Sequence, residues 1–410
     1  MKSRRITAVV RGIIMAVAAA FSQTVLDDVT SVAVEQEKPA KLPDWVTMSD
    51  PKFCETYYKE ATGTQEQSSR FAWRLFARLN QQQSEPGNAT FSAWELWAAN
   101  QNTFPKQGAP TPAPASRKGP RITRSAKVNI STSGEQEVTR NETAEQYIVQ
   151  RVLYERQATE AILGTPTTNG SPRIDFPVGA IETKAQWVKA TDLNLKTLPA
   201  DMYTITGADG TIYGLQALHI MAKIKVYPNG PRGIDDPSWF WTTFEYYGNP
   251  NRKYLIDFVT YQDTLKYAEQ KELLTQAGLA NTKFAIPVDV PVFNSKTGDT
   301  TTVKGNSYLC NGTQFTFTGK DPKTNAEVNV VLGNSILEGD FTVPSPPGTK
   351  NPFRGWNASC HSCHFEAAGN SKTLTGSFHS VTGNVSLGKD SMGNKLFPID
   401  FEWSIPFFAR

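Results

Sequence analysis

Cys360-His361-Ser362-Cys363-His364 places two thiols and an adjacent imidazole within five residues near the C-terminus. Thiols separated by two residues can add to the two vinyl groups on one edge of a porphyrin. A histidine directly after the second thiol is then held beneath the ring, where it can ligate the iron. On this reading Cys360 and Cys363 carry thioether bonds to one covalent haem c, and His364 supplies an axial nitrogen. Three other readings stand beside it. A redox dithiol of the thioredoxin type would open a helix after a strand in a βαβ unit, and no such pattern precedes residue 360. A zinc site completed by His361, His364 or His379 would ordinarily want a second ligand pair, which the chain lacks. Coincidence is the third, and four cysteines in 410 residues leave it little room.

The motif resembles that of the c-type cytochromes at all three attachment positions. The sixth iron ligand then decides whether the iron shuttles electrons or binds small molecules. Only four histidines exist. His361 sits inside the attachment loop and cannot reach the opposite face. His379 follows His364 by fifteen residues, and Met392 by twenty-eight. His219 and Met221 lie two apart in an apolar stretch, on one side of a strand. His219 is the leading candidate, although a histidine on an apolar strand is commonly a hydrogen-bonded core group and a methionine there is commonly packing. An open or water-filled position is the remaining option. Phe353, Trp356 and Phe365 surround the motif, and Phe378, Phe397, Phe401, Trp403, Phe407 and Phe408 follow it. Such rings can wall a porphyrin from water, and the low dielectric raises its potential by disfavouring the more charged ferric state. Arg354, Lys372 and Arg410 are candidate donors to the propionates. The plainer alternative is an ordinary aromatic core with solvated cations.

The elements that would position these residues begin after a targeting segment. Residues 1–24 read as a signal peptide: Lys2, Arg4, Arg5 and Arg11 are basic, Gly12 to Phe21 is apolar, and Ala18-Ala19-Ala20 offers a cleavage zone. Ser3-Arg4-Arg5 resembles a twin-arginine signal, but Thr7 and Ala8 stand where apolar residues are expected. The apolar stretch is too short to span a bilayer, so no transmembrane anchor is expected after cleavage, and the expected location is periplasmic or secreted. The chain's net charge of +3 owes four positive charges to that segment, so the processed protein sits near −1. No basic patch remains to suggest nucleic acid. In an oxidising compartment the other two cysteines, Cys54 and Cys310, can form a disulfide or remain buried thiols; spacing leaves both open.

Hydrophobic residues at 39% and charged residues at 20% describe a globular protein, and no repeat period appears. Asp50-Pro51 opens a helix expected to end near Ala61. Phe71, Leu75 and Leu79 mark one face of a second over Ser69–Asn80, and Ser92 with Glu95 makes a capping box for a third carrying Trp94 and Trp97. Residues 105–126 are a Pro-rich loop bearing Arg117, Lys118, Arg121 and Arg124, a solvated excursion or a docking surface for an acidic redox partner. A long helix is expected from Asn141 to Ile162. Strands are expected over Ile181–Val188, Thr211–Ile224 and Ser238–Tyr247, with Tyr213, Leu215, Ala217, His219 and Met221 on one face of the second. A helix fits Thr264–Ala277, and shorter strands fit Ala285–Val292, Gln314–Phe317 and Val328–Leu332. Strands and helices without strict alternation imply an α+β fold: an α+β body over 25–345 and a haem c-binding segment over 346–410, too short to fold alone and so packed into the same unit.

Phe71-Ala72-Trp73-Arg74-Leu75-Phe76, Trp94-Glu95-Leu96-Trp97, Phe176-Pro177-Val178-Gly179-Ala180-Ile181-Glu182 and Leu215 through Ile220 resemble stretches of large, secreted, single-haem cytochrome c-like proteins of bacteria. That resemblance implies a haem protein and no particular substrate. The sequence therefore points first to electron transfer through one haem, with a periplasmic redox partner protein. The single haem favours this reading, because bacterial c-type peroxidases usually use two. The second reading is a haem enzyme or gas-binding protein with an open distal site, which the long chain favours. A zinc- or disulfide-stabilised binding module is the third.

Overall fold

An antiparallel sheet of seven strands divides the molecule. A computed structural model describes residues 42–84, 90–105, 135–165, 174–207, 210–224, 239–294, 297–338, 342–350, 353–356, 359–375, 389–400, 402 and 404–409. The signal segment and all but the first residue of the 105–126 loop lie outside them. The strands are β1 (Ala98–Ala99), β2 (Glu135–Arg140), β3 (Ile181–Val188), β4 (Thr204–Thr206), β5 (Ile212–Lys223), β6 (Trp239–Tyr246) and β7 (Tyr308–Gln314). Their order is β7-β6-β5-β3-β2-β1, with β4 added against the start of β5. With helices packed on an antiparallel sheet, the fold is α+β. β3, β5 and β6 are buried along nearly their whole length, as expected of strands covered on both faces.

The larger core lies on one face. Helix α1 (Asp50–Ala61) starts and ends where expected, with Ser49 as its N-cap. Helix α2 (Gln65–Leu79) begins a turn earlier than Ser69, because Thr64 and Gln67 form a reciprocal capping box. Its stripe of Phe71, Leu75, Phe76 and Leu79 is buried, with Phe76 stacked on Phe244 of β6 at 4.0 Å. The capping box at Ser92 and Glu95 is real but serves only a 3₁₀ turn, Ala93–Leu96. The Glu95 carboxylate also accepts a hydrogen bond from Tyr203 Oη, and Trp94 is locked into the core by donating to Asn80 at 3.0 Å.

The second core covers the opposite face. The long helix expected over 141–162 is two helices, α3 (Glu142–Gln150) and α4 (Arg156–Gly164). Val152 adopts a left-handed conformation (φ +57°), which ends α3 and lets Ile148 and Leu153 enter the same cluster. Asn141 caps α3 through Ala144 N–H at 3.0 Å. On the first face, the helix expected over 264–277 runs over Tyr267–Gln276 as α5, and Gly278 (φ +78°) terminates it.

One expectation for β5 is corrected. Gln186 pairs with Ala217 but Trp187 pairs with Leu215, a bulge at Gln216. Side-chain direction reverses there, so Tyr213 and Leu215 join the first core while Met221, with His219 two residues before it, faces the second. The segment expected as a strand over 314–317 contributes only Gln314, the last residue of β7. Pro287–Phe293 and Thr300–Asn306 form a separate hairpin, and Thr318–Lys320 pairs with Glu327–Asn329.

The C-terminal residues clasp the second face. Lys223, 1% exposed, holds Asp400 at 2.6 Å and Asp175 at 3.0 Å. Arg140, fully buried, pairs with Glu182 at 2.6 Å and Glu402 at 3.2 Å. Residues Leu42–Arg410 cluster as one compact unit. Cys54 and Cys310 are separate free thiols, not a disulfide; both are buried, which pushes both thiols up in pKa. Among the described residues no helix is long and apolar enough to cross a membrane.

Candidate functional site

The motif occupies one short helix, α6 (Cys360–Phe365), preceded by Ser359 in extended conformation. Its start is pinned to the end of β7. The fully buried Gln314 accepts from Ser359 Oγ at 2.6 Å and from His361 N–H at 3.1 Å, while its amide donates to Val330 O at 3.1 Å. Cys360 N–H donates to Leu332 O at 3.1 Å, and its Sγ lies 3.2 Å from the same oxygen. Phe317 packs edge-on against His361 at 4.4 Å and Phe365 at 5.3 Å. The helix is therefore anchored by polar bonds at one end and by rings along its buried side.

Cys360 and Cys363 are 6% and 8% exposed, and His364 is partly exposed. The His364 ring lies 4.3 Å from that of Trp241 on β6. β5 brings His219 to the same place. His219, Glu338 and Cys360 each offer a ligand atom, all within 4.8 Å of one another. His219 Nε2 is hydrogen-bonded to Glu338 Oε1, and Glu338 Oε2 accepts from Asn334 N–H at 2.8 Å. Among the described residues His219 Nδ1 and Trp241 Nε1 are buried without a partner, which a folded interior ordinarily avoids. Lys184 on β3 stands directly opposite His219 in register.

The electrostatics follow from this crowding. Burial works to raise the Glu338 pKa, but His219 and Lys184 outweigh it and hold the carboxyl below its usual value. Burial, then the Glu338 charge, pushes Cys360 well above the ordinary thiol range and Cys363 up to about 12. Burial and the neighbouring carboxylate thus disfavour the thiolate form at both positions.

Other sequence candidates are placed less centrally. Met221, 2% exposed, packs in the second core and pairs in register with Trp241. Met392 is 64% exposed in a turn, so the fold leaves it at the surface. Arg354 and Lys372 are exposed. The backbone of Trp356 pairs with Thr342, but its side chain, like His379, Phe378, Phe401, Trp403 and Arg410, lies outside the described residues. Sequence reasoning missed Glu338, Lys184 and Gln314. Trp241 lies in the strand expected over Ser238–Tyr247 but was not singled out as a site residue. Glu338 carries no motif, and only the fold brings it to His219.

The donor set suits a covalent haem: two thiols and a histidine on one helical turn, a second imidazole beside them with an orphaned nitrogen, and aromatic walls. No protein-family model, curated protein or solved structure matches the chain.

Proposed function

We propose that this chain is a periplasmic c-type haem protein that transfers electrons through one covalently bound haem c. Cys360 and Cys363 would hold the group and His364 would ligate its iron. The observation that carries this reading is the convergence of His219, from the centre of the sheet, on Cys360 at the start of α6. When bound, the group supplies a one-electron couple. The chain's own contribution is orientation and exclusion of water. Trp241 packs on His364, Gln314 fixes the helix start, and the second core surrounds Cys360 and Phe365. Lys184 is a better-placed cation for an acidic cofactor edge than Arg354 or Lys372, because it faces His219. The electron partner is a periplasmic redox protein.

A second reading has one observation in its favour. His219 Nε2 is already engaged by Glu338, the arrangement of a proton-transfer pair. On that reading the distal position is open and the protein is a haem enzyme or binds small gaseous ligands.

Protein matured with a haem-ligation system should give a pyridine haemochrome spectrum with pigment retained through acidified organic solvent. Cys360→Ala with Cys363→Ala should lose it, and pigment surviving denaturation in that double variant would reject the assignment. A low-spin ferric spectrum that becomes high-spin in His219→Ala identifies the electron carrier. A high-spin spectrum that readily takes up cyanide selects the second reading.

A further inference from the structure

We propose that the haem-free chain binds one zinc-type divalent cation through His219, Glu338 and Cys360. Such an ion would occupy Cys360 and so exclude haem attachment. The site exists only while Cys360 is a free thiol, so it belongs to the chain before any haem is attached. Nitrogen, carboxylate oxygen and sulfur are the three ligand types zinc takes in proteins, and donors bound to one zinc sit about 3.3–3.8 Å apart. The three donor atoms already lie within 4.8 Å, so closing on an ion requires only small side-chain movement, with the His219–Glu338 hydrogen bond opening to let both bind.

The charges support a cation here. One thiolate and one carboxylate neutralise a divalent ion, which avoids burying net charge. Binding releases the Cys360 thiol proton to solvent as the sulfur–metal bond forms, the proton shared by His219 and Glu338 leaves the coordinating atoms for solvent or the other ring nitrogen, and no electron is transferred. Lys184 opposes the ion from β3, which limits affinity without blocking the site. The Leu332 carbonyl oxygen, 3.2 Å from Cys360 Sγ, or a water completes four-coordination. Cys363 is outside the triad. The site therefore differs from a simple dithiol chelate, and that difference can be tested.

The test uses full-length reduced chain made without a haem-ligation system. Zinc chloride is titrated calorimetrically, and cobalt chloride is followed by its thiolate charge-transfer absorption. One equivalent should bind with a sulfur-to-cobalt band. Cys360→Ser, His219→Ala and Glu338→Gln should each weaken binding by about tenfold or more, while Cys363→Ala should stay within about twofold. Circular dichroism verifies folding, and the milder Glu338→Asp serves where Glu338→Gln does not fold. A Cys363→Ala loss equal to that of Cys360→Ser, unchanged binding in His219→Ala, or cobalt uptake with no sulfur band would overturn the proposal. The haemochrome assay is unaffected by any of these outcomes.

Discussion

Replacing Asp400 by alanine should cost this protein a large share of its stability. Lys223 Nζ sits 2.7 and 2.6 Å from the two Asp400 oxygens. The same carboxylate accepts from Trp239 Nε1 at 3.1 Å and from Phe176 N–H at 2.6 Å. Lys223 is 1% exposed, so its ammonium cannot turn to water when its partner is removed. Breaking a buried pair from one side costs about 3–5 kcal/mol. Asp175 remains at 3.0 Å, but its side chain is 46% exposed, so it offsets little and the expected loss is about 3 kcal/mol. Domains are ordinarily stable by about 5–15 kcal/mol, which makes this loss easy to read by guanidinium denaturation. Trp239, in direct contact with the site, reports it by fluorescence. Lys223→Met with Asp400→Leu removes the stranded ammonium and should recover part of that loss, while Trp239 Nε1 and Phe176 N–H still lack their acceptor. A single variant losing under about 1 kcal/mol, or a double variant no better than the single, would refute the clasp as an energetic anchor.

Two further outcomes are expected. Gln314→Leu leaves Ser359 Oγ and His361 N–H without that acceptor and should cost about 2–4 kcal/mol, with faster proteolysis around Ser359; unchanged melting and cleavage would show that α6 is held by its rings alone. Asp390 accepts from Asn394 and Asn370 side chains, which with backbone donors lowers its pKa from 3.8 to about 2. A depressed carboxyl stabilises the fold fully above its unfolded pKa and loses that contribution as pH falls from about 4 through about 2. Acid unfolding of Asp390→Asn should accordingly show a shallower pH slope in that window, and an identical slope would disprove the link.

Local signals carried the elements whose ends are made by neighbouring residues. Asp50-Pro51 opened a helix as read, Gly278 closed one, and the alternation over Ile181–Val188 became a strand. The same signals failed where a tertiary contact outbid them. The Ser92–Glu95 signal yields only one 3₁₀ turn, whose Glu95 carboxylate also takes a bond from Tyr203, and Asn141–Ile162 breaks at Val152, after which Leu153 enters the core.

For the site, the spacing of Cys360, Cys363 and His364 lies within five residues and was legible from the chain alone. His219 was nameable as a histidine on an apolar strand, but its side of the sheet depended on a bulge at Gln216 that no composition announces. Its company was decided by folding. Glu338 arrives from a turn and Lys184 from the neighbouring strand, because burying a polar ring obliges the fold to bring charge and hydrogen-bond partners to it from wherever the chain passes.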